Sequence, residues 1–244
     1  GGAGDNSIAQ MNAASAQSLS FGSTTLGGGA GANSYAQIAS TGANQSINYS
    51  NLAMTGGLGA GSFTQIVAAT TQNISGGNMT LTGGGTALAP VANTSATIQG
   101  NSQVISAGNL TLAGGNGAAG GGSDAVLRNL SGNQSVNASS VTLNGGAQFS
   151  TTGILNVSGG TQSVSGSNGI LLTTIAGANN NTSVLIQNLA ASKQTLTAAS
   201  GGIGIINQGA GGVSVTSAGT QQLTSRFVEV STTAGSTGDA ILSA

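Results

Sequence analysis

Residues 132–137 read GNQSVN, and close variants of this phrase recur along the chain: ANQSIN at 43–48, TQNIS at 71–75, SQVIS at 102–106, TQSVS at 161–165 and KQTLT at 193–197. The shared pattern is Gln, any residue, an aliphatic residue, then Ser, Thr or Asn. It occurs eight times, beginning at Gln17, Gln45, Gln72, Gln103, Gln134, Gln162, Gln194 and Gln221. The spacings are 28, 27, 31, 31, 28, 32 and 27 residues. A fixed period in this range marks a solenoid, a propeller or an array.

Two further signals keep register with the glutamine. Seven and nine residues after it stand Leu52/Met54, Met79/Leu81, Leu110/Leu112, Val141/Leu143 and Val228/Val230, and Gly-Gly follows the first four pairs. Before it come SIAQM (7–11), SYAQI (34–38), SFTQI (62–66), SDAVL (123–127) and SVLI (183–186). Alternating apolar and polar residues closed by turn residues read as strands, not helices. Three short strands in roughly 30 residues are too few for a propeller blade of four strands and about 40 residues. They fit one coil of a parallel β-solenoid in which each strand pairs with its copy one coil away. The expected fold is therefore all-β: one solenoid domain over 1–244, about eight coils, Gly/Asn-rich corners, and a rod about 40 Å long at roughly 4.8 Å per coil. Two stretches depart from the pattern. Residues 147–182 have an irregular first strand and one extra residue before Ile170 and Leu172, and 200–215 (GGIGIINQGAGGVSV) are rich in glycine. Both read as corner insertions.

Strand alternation places Gln134 on the same side as Val136, and likewise Gln45 with Ile47 and Gln194 with Leu196. If the aliphatic residue points inward, so does the amide. A buried primary amide is costly unless satisfied, but equivalent glutamines stacked one strand spacing apart can bond to one another. An inward Gln ladder is the expectation; a row of glutamines at solvated corners is the alternative.

Composition narrows the function. Charged residues are 3% of 244 and the formal net charge is −1, so the clustered Lys and Arg of a nucleic-acid or anionic-membrane partner are lacking. No run of 18 apolar residues suggests a membrane-spanning helix, so no membrane insertion is expected. The chain opens GGAGDNS, which reads as a mature or excised product. The ionisable residues are Asp5, Asp124, Arg128, Lys193, Arg226, Glu229 and Asp239, with no His and no Cys. A hydrolase or lyase needs a convergent cluster of acids or bases, and these are scattered over different coils. Asp124 with Arg128, and Arg226 with Glu229, read as surface pairs. GGAGD at 1–5 is a single match to a calcium nonapeptide, and GGNGAAGGG at 114–122 lacks the Lys-Ser/Thr of a phosphate loop. No catalytic, metal or cofactor site is expected. Thr80, Thr111 and Thr142 should form a short outward column, and Phe21 with Tyr49 a packed pair.

The repeated N-Q-[ST]-[IV] and N-[LM]-T-L-x-G-G phrases, with glycine-rich corners between them, resemble the β-strand repeats of large bacterial surface proteins of the filamentous-haemagglutinin type. Curli-type amyloid subunits are a more distant likeness, since their units are shorter. The resemblance implies a secreted or surface-attached, right-handed solenoid used as stalk, adhesin or matrix fibre, and brings no catalytic residues.

Solenoids normally carry polar caps, whereas GDNSIAQM near the start and GDAILSA near the end read as copies of one first strand. The expected function is a structural subunit of an extracellular filament, a homopolymer stacked head to tail. Its candidate contacts are Ile8, Tyr35 and Phe63 on an outward stripe, and Ile241 and Leu242 in the last strand. The alternative is a rod-like adhesin or stalk fragment of a longer surface protein that binds a cell-surface or matrix ligand.

Overall fold

The computed structural model describes residues 1–86, 89–179 and 181–244. In chain order the strands are β1 (Ile8–Ala13), β2 (Gln17–Gly27), β3 (Tyr35–Ser40), β4 (Gln45–Thr55), β5 (Phe63–Ala68), β6 (Thr71–Thr82) and β7 (Ala96–Gly100). Then come β8 (Ser102–Ala113), β9 (Ala125–Asn129), β10 (Gln134–Asn144), β11 (Ser150–Asn156), β12 (Gln162–Thr173) and β13 (Thr182–Asn188). The last are β14 (Gln194–Ala198), β15 (Ile203–Asn207), β16 (Gly212–Ser217), β17 (Gln221–Ser225), β18 (Val228–Thr232) and β19 (Ala240–Ser243).

The chain winds as a parallel β-solenoid of about eight turns. A first sheet holds the short strands in the order β1-β3-β5-β7-β9-β11-β13-β16-β19. A second sheet stacks β2, β4, β6, β8, β10 and β12, continued by β14 with β15 and then β17 with β18. All these pairs are parallel, and equivalent residues face one another: Met11, Ile38, Ile66 and Ile98 form one column of the first sheet. Leu26, Met54, Leu81, Leu112 and Leu143 form one of the second.

Interior columns of Ile, Leu, Val and Met supply the core in place of aromatics; Ile47, Ile74, Ile105, Leu81, Leu112 and Leu143 are fully buried. Each such side chain contributes about 1.5–3 kcal/mol of burial. Phe21 and Tyr49 do pair, and Gly76 follows them in the column. A Cβ at Gly76 would collide with Tyr49, so the ring takes the room that glycine leaves. Its burial pushes the Tyr49 phenol up to about 12.

The second and third strands expected in each coil occupy the places foreseen, but in six coils they run on as one strand of 11 or 12 residues. In β4 the buried positions are Gln45, Ile47 and Tyr49, then Leu52 and Met54. Parity slips by one at Ser50–Asn51, so the strand bends there and its pairing resumes in the same register from Asn51. Pairing skips the bend in these coils, at Ser50 in β4 and at 76–78 between β6 and β8, and in the last two coils the strand itself breaks, at 199–202 and 226–227. Neither irregular stretch is a corner insertion. The extra residue before Ile170 is a β-bulge inside β12, where Ala138 faces Gly166 but Ser140 faces Gly169. Residues 203–207 and 212–217 are strands β15 and β16, with Ile203, Ile205 and Val215 in the core. Their glycines, such as Gly204, fall at outward positions where no side chain is needed for the interior.

The Gly-Gly that closes the long strands is a close-approach requirement. A Cβ on Gly57, Gly84, Gly115 or Gly146 would strike the carbonyl oxygen of Gly29, Gly57, Gly84 or Gly115 respectively, one coil below. Gly212 has open space around the corresponding point and an ordinary φ. Gly115→Ala should therefore cost about 1–3 kcal/mol or more in urea denaturation, while Gly212→Ala should be neutral or gain up to about 1 kcal/mol.

Candidate functional site

The eight glutamines point inward and form one continuous ladder. Gln45 Nε2 donates to Gln17 Oε1 at 2.8 Å, and Gln72, Gln103 and Gln134 each donate to the preceding Oε1 at 2.9 Å. Gln162, Gln194 and Gln221 continue at 2.8, 2.6 and 2.6 Å. From Gln45 to Gln194 the side chains are at most 1% exposed. The solvated-corner alternative is thereby excluded. A second N–H settles which way these amides point: Gln103, Gln162 and Gln194 also donate to the carbonyls of Ile98, Ile154 and Ile186, within the short strand of their own coil. With Nε2 donating twice and Oε1 accepting, these three amides are satisfied in the interior.

The ladder is thus polar. Every rung donates toward the lower-numbered coil, which leaves Nε2 of Gln17 as the donor on one end face and Oε1 of Gln221 as the acceptor on the other. The apolar columns open onto the same faces. Met11 is 44% exposed at one, and Val228 and Val230 are 42% and 43% exposed at the other, although equivalent positions in intervening coils are buried.

Two further ladders were not foreseen from the sequence. Asn129, Asn156 and Asn188 are buried at the ends of short strands; Asn129 donates to Asn156 and Asn156 to Asn188, both at 2.8 Å. The same amides hold the following corners through Gly132, Gly159 and Ser192 carbonyls. On the outer face of the first sheet, Gln10 donates to Gln37 and Gln37 to Gln65, at 3.1 and 2.9 Å. The Asn at 129, 156 and 188 stands four residues after the inward column of Ala125, Thr152 and Val184, and the Gln at 10, 37 and 65 one residue after the inward column of Ala9, Ala36 and Thr64, and that register was the available signal.

The residues singled out as contacts divide by face. Ile8, Tyr35 and Phe63 are register partners on the outside of the first sheet. Ile8 is 56% exposed, and the rings of Tyr35 and Phe63 stack at 4.7 Å with 5° between planes. Ile241 is also outward and exposed, whereas Leu242 points inward and packs half-buried against the core. The Thr80, Thr111 and Thr142 column is present.

Among the described residues no cluster of three His, Cys, Asp or Glu could hold a metal ion. Asp5 and Asp124 instead tie coils together, accepting the Ala32 and Thr151 backbone N–H groups at 2.7 Å. Asp124 is thus engaged by the next coil and not by Arg128. No family model matches the chain, and no curated protein or solved structure matches it.

Gln134→Leu leaves Gln103 Oε1 without its ladder donor, whereas Gln162 Nε2 keeps the carbonyls of Ile154 and Gln187 as acceptors; with one orphaned group the loss should be about 1–3 kcal/mol. Gln222→Leu, outward and exposed, should change stability by less than about 0.5 kcal/mol. Burial raises the Asp124 pKa above its ordinary value, against the lowering effect of the Thr151 bonds. The fold then favours the protonated acid, so this residue costs stability as pH rises from its unfolded value of about 3.9 through its higher folded value. Asp124→Asn, which keeps an acceptor for Thr151, should be more stable than the unsubstituted chain at pH 7 and equal to it below about pH 4 in paired thermal melts.

Proposed function

We propose that this chain is a structural subunit of an extracellular filament or matrix fibre, in which copies stack end to end and extend both sheets. The observation that carries the reading is the complementarity of the end faces. One offers an amide donor at Gln17 above Leu19 and Leu26; the other offers an acceptor at Gln221 beside Leu223 and Val230, at the same register positions. A further coil added at either face would meet the partner that every interior coil already has. Reversed stacking would set donor against donor, so growth has one direction. A contact of this kind between unlike faces does not close on itself and gives an open fibre. Backbone edges supply the affinity, and the columns of Gln, Ile and Leu supply the register. The outward stripe of Ile8, Tyr35 and Phe63 suits lateral contact between filaments. The extracellular setting rests on the likeness of the repeats to bacterial surface proteins.

A groove on the outside of the second sheet favours the adhesin reading as the alternative. It has a volume near 350 Å³ and is lined by Asn168, Leu171, Ile206, Phe227 and Glu229. Phe227, 59% exposed, lies over Gly202, where a Cβ would collide with the ring.

Electron microscopy of the purified chain at high concentration separates the two. The filament reading expects a meridional spacing near 4.8 Å and an axial subunit repeat of about 38 Å, eight coils long. Isolated short rods at every concentration would contradict it and favour the adhesin.

A further inference from the structure

Among the described residues the two sheets differ in depth: the first has nine strands, while the second is eight coils deep. The ninth strand, β19, docks on β16 with Ala240 opposite Val213 and Leu242 opposite Val215. Consider a second copy arriving at that face. Its ladder joins only if its β2 lies directly on β17 and β18, one spacing of about 4.8 Å away, so that Gln17 meets Gln221. Because β1 and β2 belong to one coil, β1 of the arriving copy is then carried to the level that β19 already occupies. Raising the arriving copy by one coil avoids the conflict but omits a strand from the second sheet. Gln17 and Gln221 are then about 9.5 Å apart by strand spacing, beyond a hydrogen bond of about 3 Å. One of the two strands has to give way.

Their anchorage is unequal. β1 pairs six residues with β3. β19 pairs four residues. The entries of both are tied down, that of β1 by Asn6 to Ala32, Ser7 to Ser34 and Ala32 to Asp5, and that of β19 by Ser236 and Gly238 to Gly209 and by Val213 to Asp239, so the difference lies in the length paired. Both strands offer the same inward pattern in the same columns, Ala9 and Met11 against Ala240 and Leu242, so β1 fits the bed on β16 that β19 occupies. We infer that β19 is an exchangeable strand. It covers the edge of β16 while the chain is alone, and at each joint it is replaced by β1 of a second copy of this chain. The inference rests on the filament reading and identifies the surface through which that reading has to work.

A reversible lock tests it in the full-length chain. Ser214 and Ile241 are outward register partners on β16 and β19. Adjacent strands lie about 4.8 Å apart, inside the roughly 4.4–6.8 Å Cα separation that a disulfide spans, and the chain has no cysteine of its own. The Ser214→Cys/Ile241→Cys variant, with its bond shown by non-reducing electrophoresis to lie within one chain, should lose elongation from preformed seeds when oxidised and regain it on reduction. A second variant, Leu242→Asp, weakens β19 in its bed and should shorten the lag before filaments form. Elongation by the oxidised lock at the reduced rate, or a lengthened lag for Leu242→Asp, would overturn the exchange while leaving the filament reading in place. Absence of filaments from the unsubstituted chain would overturn the filament reading, and the exchange with it.

Discussion

A primary amide in an apolar interior has two donors and an acceptor to satisfy, and the side chains around it here are hydrocarbon. The solution adopted is another copy of the same amide one strand spacing away, from Gln17 through Gln221. That arrangement works only if successive coils are superimposed residue on residue. A slip of one residue would turn the ladder outward and strand its hydrogen-bonding groups in the wrong place. Register, coil spacing and interior columns therefore depend on a single repeated interaction.

Much of the unusual composition follows from this stacking. When each residue lies above its own counterpart, a charge would lie above a like charge at about 4.8 Å, and the chain has few charges to place there. Neutral Gln, Asn, Ser and Thr can stack on themselves because each both donates and accepts. Glycine is required where backbones of successive corners approach too closely for a Cβ, as at Gly84 and Gly115. The same rule makes the end faces complementary: a ladder in which every rung donates in one direction leaves a donor at Gln17 and an acceptor at Gln221.

The solenoid and its inward ladder were legible because the Gln-x-aliphatic phrase survives in every coil with the same neighbours, and strand alternation then fixes its side. The merging of second and third strands was not legible, because a parity slip such as that at Ser50–Asn51 looks the same in sequence whether the strand breaks or bends. Residues 200–215 were misjudged on glycine content; Ile203, Ile205, Val213 and Val215 hold the inward columns, Gly204 and Gly212 fall at outward positions, and Gly209 and Gly211 are buried in the corner between the two strands. The Asn129, Asn156 and Asn188 ladder was hidden because asparagine before a corner already has a sufficient reason to be there. Ile241 and Leu242 were grouped as contacts, but alternation sends them to opposite faces, and only the inward position of Leu242 makes β19 a match for β1.

The central claim is that the glutamine amides are buried and bonded to one another, and the most direct measurement is hydrogen exchange of the side-chain Nε2 protons, resolved by NMR on the labelled chain. The account predicts that Gln45, Gln72, Gln103, Gln134, Gln162 and Gln194 exchange as slowly as the backbone amides of the strands that carry them, while the exposed Gln222 exchanges at the rate of a free amide. Rapid exchange at all of these positions, with the backbone still protected, would contradict it.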